Sequence, residues 1–250
     1  MPKPIKKRTH KRSIAEQEVL SFYQRFRDYY EGNRRFVHIV AGILILVLIA
    51  VSFSIYYNRR LNSEAAALEY EGYKLYQGLY TTKNDAKEKE RLNKAYEDFQ
   101  AALKKKSSPV RLLYLSYTEY KLGKKNEALI TLKKLAKKYS SDSEILPVAY
   151  YKIAMIELEK GDKEAALKTL NTLFNLKNSP FFKDVALFER GRILESLGRK
   201  DEALRAFKIL VDSFPESPYY STALARTKNE EGPSGKKGTD KRENKKAVKK

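Results

Sequence analysis

Cysteine is absent from the 250-residue chain, and its only two histidines are His10 and His38. The absence of cysteine excludes a disulfide framework, a thiol nucleophile and a cysteine-ligated metal. No strand pattern is apparent, and no glycine-rich phosphate loop follows a strand. Carboxylates such as Glu157 and Glu159 lie among lysines on predicted helices, which is typical of a solvated face. We therefore expect no enzymatic activity, no cofactor and no metal.

Charge is missing from one long stretch, which runs from Phe36 to Asn58 between two arginine pairs. At about 1.5 Å per residue, a helix over 36–57 would reach roughly 33 Å, enough to cross a hydrocarbon core about 30 Å thick. A secretory signal would have a shorter apolar run and a shorter leader, and a buried core helix is rarely apolar all round. The run predicts a retained transmembrane helix over 36–58.

The leader, residues 1–35, carries ten basic and four acidic residues. Anionic lipid headgroups, ribosomal RNA and acidic protein surfaces would all attract it, and charge alone does not choose among them, although nucleic acid is the less favoured partner. Ser13 to Glu31 has the apolar spacing of an amphipathic helix, suited to the membrane surface or to a partner in the membrane. The excess of basic residues before the run predicts a cytoplasmic leader and a main domain outside.

A glycine turn followed by a helix recurs three times after the apolar run. The three copies begin at Gly123, Gly161 and Gly198, and each reaches an Ala-Leu pair five residues later. Self-similarity at this period predicts stacked helical units, because one unit alone cannot bury its apolar face. We expect each glycine to end a helix in a left-handed conformation. An earlier unit, with a charged connector over 81–90, shows no such glycine turn.

The second helix of each unit has an apolar seam at intervals of four and three residues. The seams are Ala95, Phe99 and Ala102; Ala128, Leu132 and Leu135; Ala166, Leu170 and Leu173; and Ala203, Phe207 and Leu210. Twelve residues before the last three alanines lie Ser116, Ala154 and Gly191. These small residues predict where the two helices of a unit touch.

This arrangement of small residues, glycine turns and seams resembles the tetratricopeptide repeat, over about Asn62 to Lys228. The resemblance implies an all-α fold, in which an α-solenoid of about four helix pairs follows the single N-terminal transmembrane helix. It also implies a groove for polypeptide, lined by the first helix of each unit, although several of these side chains would instead pack between units. The groove positions are Leu113, Tyr117 and Tyr120; Tyr151, Met155 and Leu158; and Phe188, Arg192 and Glu195.

A basic leader, one span and an outward array of repeats together resemble the YfgM-type ancillary subunits of the bacterial SecYEG translocon. The leader stretch over 16–26, running almost into the span, adds to this likeness. The resemblance implies a scaffold in the inner membrane that links the translocon to a periplasmic, PpiD-like chaperone or to emerging chains. A cytosol-facing receptor for chaperones or precursors, and an envelope-assembly scaffold, remain alternatives.

The predicted organisation has four parts. The leader occupies 1–35, the transmembrane helix 36–58, the repeat domain 59–228 and a lysine-rich tail 229–250. The tail should be disordered because it has little apolar content.

Overall fold

The computed structural model describes residues 14–79, 85–177 and 179–230, and all ten regular elements in these ranges are helices. The predicted basic opening of the leader, the start of the charged connector and most of the predicted disordered tail lie outside the described residues. The helices are α1 (Ile14–Gly32), α2 (Arg34–Gln77), α3 (Asp85–Lys105), α4 (Pro109–Lys121), α5 (Lys125–Lys138), α6 (Ile145–Glu159), α7 (Lys163–Phe174), α8 (Lys183–Ser196), α9 (Lys200–Ser213) and α10 (Tyr220–Glu230).

The chain divides into two compact units, Met1–Leu61 and Asn62–Lys250. In the first unit, α1 ends at Gly32, and α2 starts at Arg34 after the single residue Asn33. The Tyr30 hydroxyl and the His38 ring nitrogen Nε2 are 3.2 Å apart, so one side-chain contact joins the two helices. Most of the apolar part of α2 is exposed, with Leu46 at 67% and Leu48 at 65%.

Helix α2 is one continuous element of 44 residues, which runs on past residue 58, where the predicted transmembrane helix ends. Residues 58–64 contain neither glycine nor proline, so nothing in their backbone chemistry interrupts the helix. The last part of α2, from Asn62 to Gln77, belongs to the second unit and forms the first helix of its first pair.

The second unit is a stack of helices in which each packs against the next along the chain, from α3 to α10. The predicted glycine turns are confirmed: Gly123, Gly161 and Gly198 have φ angles of 79°, 82° and 74°. The first pair also ends its first helix at a glycine, Gly78, with φ 68°, so the expectation of no glycine turn there is wrong. The sequence pattern does not predict the turn at Gly78, because a charged connector follows this glycine where the other units start a helix at once.

The core follows the predicted seams. The alanine that begins each of the four seams is buried, and the other eight seam residues are at most 1% exposed. The small residue of the fourth pair allows a very close approach, since a Cβ added to Gly191 would lie 2.4 Å from the Phe207 ring. The predicted contact between the two helices of a unit is therefore confirmed at this position.

Candidate protein-binding groove

The first helices of the second and third pairs lie side by side, since α4 contacts α6 directly although α5 separates them along the chain. On each of these helices the three predicted groove positions are spaced by three and four residues, which places them on one helix face. The face begins at Leu113 on α4, Tyr151 on α6 and Phe188 on α8.

Helices α6 and α8 contribute apolar groove residues that are half-buried rather than fully open. Tyr151, Met155, Leu158 and Phe188 all pack against the core cluster of the third and fourth pairs. The Phe188 ring stacks on Tyr219, with ring centroids 4.4 Å apart, so it supports the last helix as well as lining the face.

The remaining predicted positions differ in exposure and partners. Leu113 is 7% exposed and belongs to the core of the second and third pairs, so little of it reaches the surface. Arg192 donates to both carboxylate oxygens of Glu189 at 3.1 Å. Glu195 accepts from Arg226 at 2.5 Å. The charged end of the face is therefore neutralised by internal ion pairs.

The aromatic end of the face is larger than the sequence indicates. Tyr73 and Tyr76 of α2 meet the Tyr114 ring of α4 edge-on, with centroids 5.2 and 5.7 Å away. Tyr114 in turn meets Tyr117 at 6.2 Å. Together with Tyr120, one turn further along α4, these side chains are called the tyrosine cluster below. All five are partly exposed.

Two lysines lie over rings of the tyrosine cluster. The Lys121 ammonium is 4.1 Å from the centroid of Tyr76, and the Lys152 ammonium is 3.5 Å from that of Tyr120. Both distances are within the range of a cation–π interaction. The arrangement connects three successive pairs, because Tyr76 lies on α2, Tyr120 on α4 and Lys152 on α6.

A carboxylate, Glu159, completes the edge of this cluster. The Tyr120 hydroxyl donates to Glu159 at 2.5 Å, and the Lys125 ammonium lies 2.9 Å from the same carboxylate. These two hydrogen bonds hold the pKa of Glu159 below its usual value of 4.5. Glu159 is therefore a satisfied anion.

Ionisation within the cluster favours neutral phenols. Burial, followed by the proximity of Tyr76 and Tyr114, raises the pKa of Tyr117 to about 12. The hydrogen bond to Glu159, more than burial, raises the pKa of Tyr120. The hydroxyls of Tyr117 and Tyr120 consequently remain protonated donors at neutral pH. Burial lowers the pKa of Lys152, and Glu159 partly offsets this effect.

The sequence pattern does not predict the tyrosines of α2 as groove residues. In the other pairs, counting twelve residues back from the first seam alanine reaches the first helix, and in the first pair it does not. Twelve residues before Ala95 lies Lys83, in the connector. The structural counterpart is Gly72, whose added Cβ would lie 3.2 Å from the Phe99 ring, as Gly191 approaches Phe207. The sequence signal that identifies this helix is a glycine within a helix that pairs with a phenylalanine of the seam, as in the fourth pair.

Within the described ranges, no group of three or more metal-ligating side chains comes together. The described part of the face therefore offers aromatic rings, hydroxyls and ammonium groups, which suit contacts with another polymer.

A family model described as a tetratricopeptide repeat-like domain matches residues 27–229. Among solved structures, a tetratricopeptide repeat protein from Parabacteroides merdae ATCC 43184 aligns with a TM-score of 0.51 and 21% identity, over 68% of this chain and 61% of that protein. This chain thus spans less than two thirds of that protein, and the likeness at this identity shows the fold alone.

Two further similar structures are more distant. MamA aligns with a TM-score of 0.47 and 20% identity, over 67% of this chain and 85% of its own. YrrB, described as a TPR protein with an unusual peptide-binding site, aligns with a TM-score of 0.42 and 20% identity, over 56% of this chain and 68% of its own. No curated protein matches the chain. The family match over residues 27–229 shows that the chain belongs to the tetratricopeptide repeat-like domain family.

Proposed function

We propose that this protein is a membrane-anchored scaffold that binds polypeptide along the first helices of its repeats. The tetratricopeptide repeat-like fold is that of a protein–protein interaction scaffold, typically without enzymatic activity, and stacked helical pairs present an extended binding surface. The observation that carries the proposal is the partly exposed row from the tyrosine cluster through Met155 to Phe188. Aromatic and thioether side chains make large contacts that adapt to different partners.

The membrane anchor is the apolar half of α2. Among the described residues, α2 alone is long and apolar enough to cross a membrane, and none of its most apolar window is buried in the protein. Leu46, Leu48 and Phe53 are exposed, and contact of these apolar side chains with water costs free energy. A hydrocarbon environment removes that cost. The exposure of these side chains supports the anchor.

The orientation follows the distribution of basic residues. Ten lysines and arginines precede Phe36, whereas Arg59, Arg60 and Lys74 are the basic residues of the first twenty positions after Asn58. Basic flanks are retained in the cytoplasm, so the leader lies inside and the repeats lie outside the inner membrane.

The partners proposed by resemblance to YfgM-type subunits are the SecYEG translocon and a periplasmic chaperone similar to PpiD. The support is the order of a basic leader, a single apolar helix and a short array of repeats. In this role the groove holds the chaperone or an emerging chain while the apolar helix stays in the membrane.

Protease protection tests the orientation. In sealed spheroplasts, added protease should digest the repeats and leave the leader protected, as detected with an epitope tag on each end. A cytoplasmic marker protein controls for leakage. Digestion of the leader with protection of the repeats would contradict the proposal and would favour the cytosol-facing receptor.

A further inference from the structure

We infer that the tyrosine cluster and its two lysines select an extended polypeptide segment bearing Asp or Glu side chains, an inference that rests on the proposed groove. The two ammonium groups of Lys121 and Lys152 lie on adjacent first helices, over rings that belong to the same cluster. They mark the aromatic end of the groove as a site for carboxylates that alternate with apolar side chains.

Neither lysine is neutralised by a close ion pair. Among the residues that the structure describes, no carboxylate lies within 4.0 Å of Lys121 or Lys152. The nearest acid that acts on Lys152 is Glu159, which already accepts from Tyr120 and Lys125. Two positive charges at this site thus lack a close counter-charge from the part of the chain that the structure describes.

Partial burial makes Lys152 the stronger of the two anion sites. Its side chain lies between α4 and α6, and its ammonium also approaches Tyr117, at 5.9 Å. A charge that is partly removed from water interacts more strongly with an incoming carboxylate than a fully solvated lysine does. Lys121 is exposed and adds a second, weaker contact about one turn of helix away from Tyr117.

The ring geometry argues against nucleic acid in the same place. Single-stranded nucleic acid binds by stacking bases on open aromatic faces. Here Lys121 covers Tyr76 and Lys152 covers Tyr120, while Tyr114 packs against Phe99 with centroids 5.9 Å apart. The cluster therefore presents ammonium groups and ring edges, which suit carboxylates.

The composition of the chain excludes its own tail as the occupant. Residues 231–250 hold eight lysines and arginines and three acidic residues. Such a segment would be repelled by Lys121 and Lys152. The partner is accordingly a separate, acidic polypeptide, in line with the net charge of +20 on this protein.

The test is peptide binding to the full chain in detergent, measured by fluorescence anisotropy. One labelled peptide alternates glutamate with leucine and phenylalanine, and its matched control has glutamine in place of every glutamate. We expect the glutamate peptide to bind at least about fivefold more tightly, with the difference lost near 1 M salt, where the Debye length is about 3 Å.

Three charge variants locate the effect. Lys152→Gln should remove most of the preference for glutamate and Lys121→Gln a smaller part of it, while both leave the affinity for the glutamine peptide unchanged. Lys168→Gln is the matched control, because Lys168 is an exposed lysine on α7, a second helix of its pair. Thermal unfolding of each variant shows whether it is folded as the parent protein is.

Equal affinities for the two peptides would overturn the inference and leave the groove proposal intact. Failure of both peptides to bind would also overturn it, and crosslinking in membranes would then decide separately whether the groove has any partner. Displacement of the glutamate peptide by a single-stranded oligonucleotide would overturn it in favour of nucleic acid.

Discussion

The close contact between Gly191 on α8 and Phe207 on α9 gives a prediction with a defined magnitude. Gly191→Ala would place a Cβ 2.4, 2.5 and 2.9 Å from three carbons of the Phe207 ring. Phe207 is 1% exposed, and its ring is also near Phe188, with centroids 6.1 Å apart, so it has little room to move. The helices must separate, or the ring must leave its rotamer.

Overpacking of this kind costs about 1–3 kcal/mol, and the better helix propensity of alanine returns about 1 kcal/mol. Because the contact is below 3.0 Å, we expect the upper part of that range and a net loss of about 1–2 kcal/mol. In a domain of this size the loss lowers the melting temperature by roughly 2–8 °C.

The repeats themselves provide the compensating change. The third pair has Ala154 and Leu170 at the positions that Gly191 and Phe207 occupy in the fourth. Phe207→Leu alone should be destabilising because it leaves a cavity. Combined with Gly191→Ala, it should recover most of the lost stability by reproducing the pairing of the third unit.

The assay is urea unfolding of the parent protein, the two single variants and the double variant, followed by circular dichroism. The account predicts a favourable coupling energy of about 1–2 kcal/mol between the two substitutions. Additive effects within about 0.3 kcal/mol would refute the reasoning, because they would show that the two positions do not compete for one space.

Three further predictions concern polar groups. Burial raises the pKa of Glu119 in the folded protein above its unfolded value near 4.5. The contribution of Glu119 to stability should therefore be fully present below pH 4.5 and decline as the pH rises through the folded pKa. Urea unfolding of Glu119→Gln at several pH values should no longer show this decline, and an unchanged profile would contradict the prediction. Tyr120→Phe should raise the pKa of Glu159 towards 4.5 in a carbon-detected NMR titration, and no change would contradict the hydrogen bond. Arg111→Ala should lower the free energy of unfolding by about 3 kcal/mol, because the buried guanidinium lies 2.8 Å from the Glu69 carboxylate. Thermal unfolding measures this, and a loss below about 1 kcal/mol would show that the ion pair is not desolvated.

Much of the repeat architecture could be predicted from the sequence, because its signals are local. Gly123, Gly161 and Gly198 need positive φ angles, and a glycine followed by a helix start is visible in any window of seven residues. The seams likewise repeat at helical spacing, so their burial follows from periodicity alone.

The first pair could be predicted only in part. Its connector changes the distance between Gly72 and Ala95, so a rule based on counting back from the alanine no longer reaches the right helix. The continuity of α2 could not be predicted from the apolar run either. Arg59 and Arg60 end that run, but arginine is compatible with a helix and does not end it.

The groove positions could be predicted by aligning the repeats. The contacts between side chains of different helices could not, because they depend on the three-dimensional packing. Lys121 and Lys152 lie over rings of Tyr76 and Tyr120, and each contact joins different helices. No spacing rule relates a lysine on α6 to a tyrosine on α4. The nine groove positions remain predictions, and the structure adds which of them have partners inside the protein.

The central claim is that the row of first helices binds polypeptide partners outside the membrane. Its most direct test is photo-crosslinking in intact membranes from a probe at Tyr151 on α6, with a probe at Lys168 on α7 as the control. We predict crosslinks from Tyr151 to translocon subunits, a periplasmic chaperone or an emerging chain, and few from Lys168. Equal crosslinking from both positions, or none from Tyr151, would contradict it.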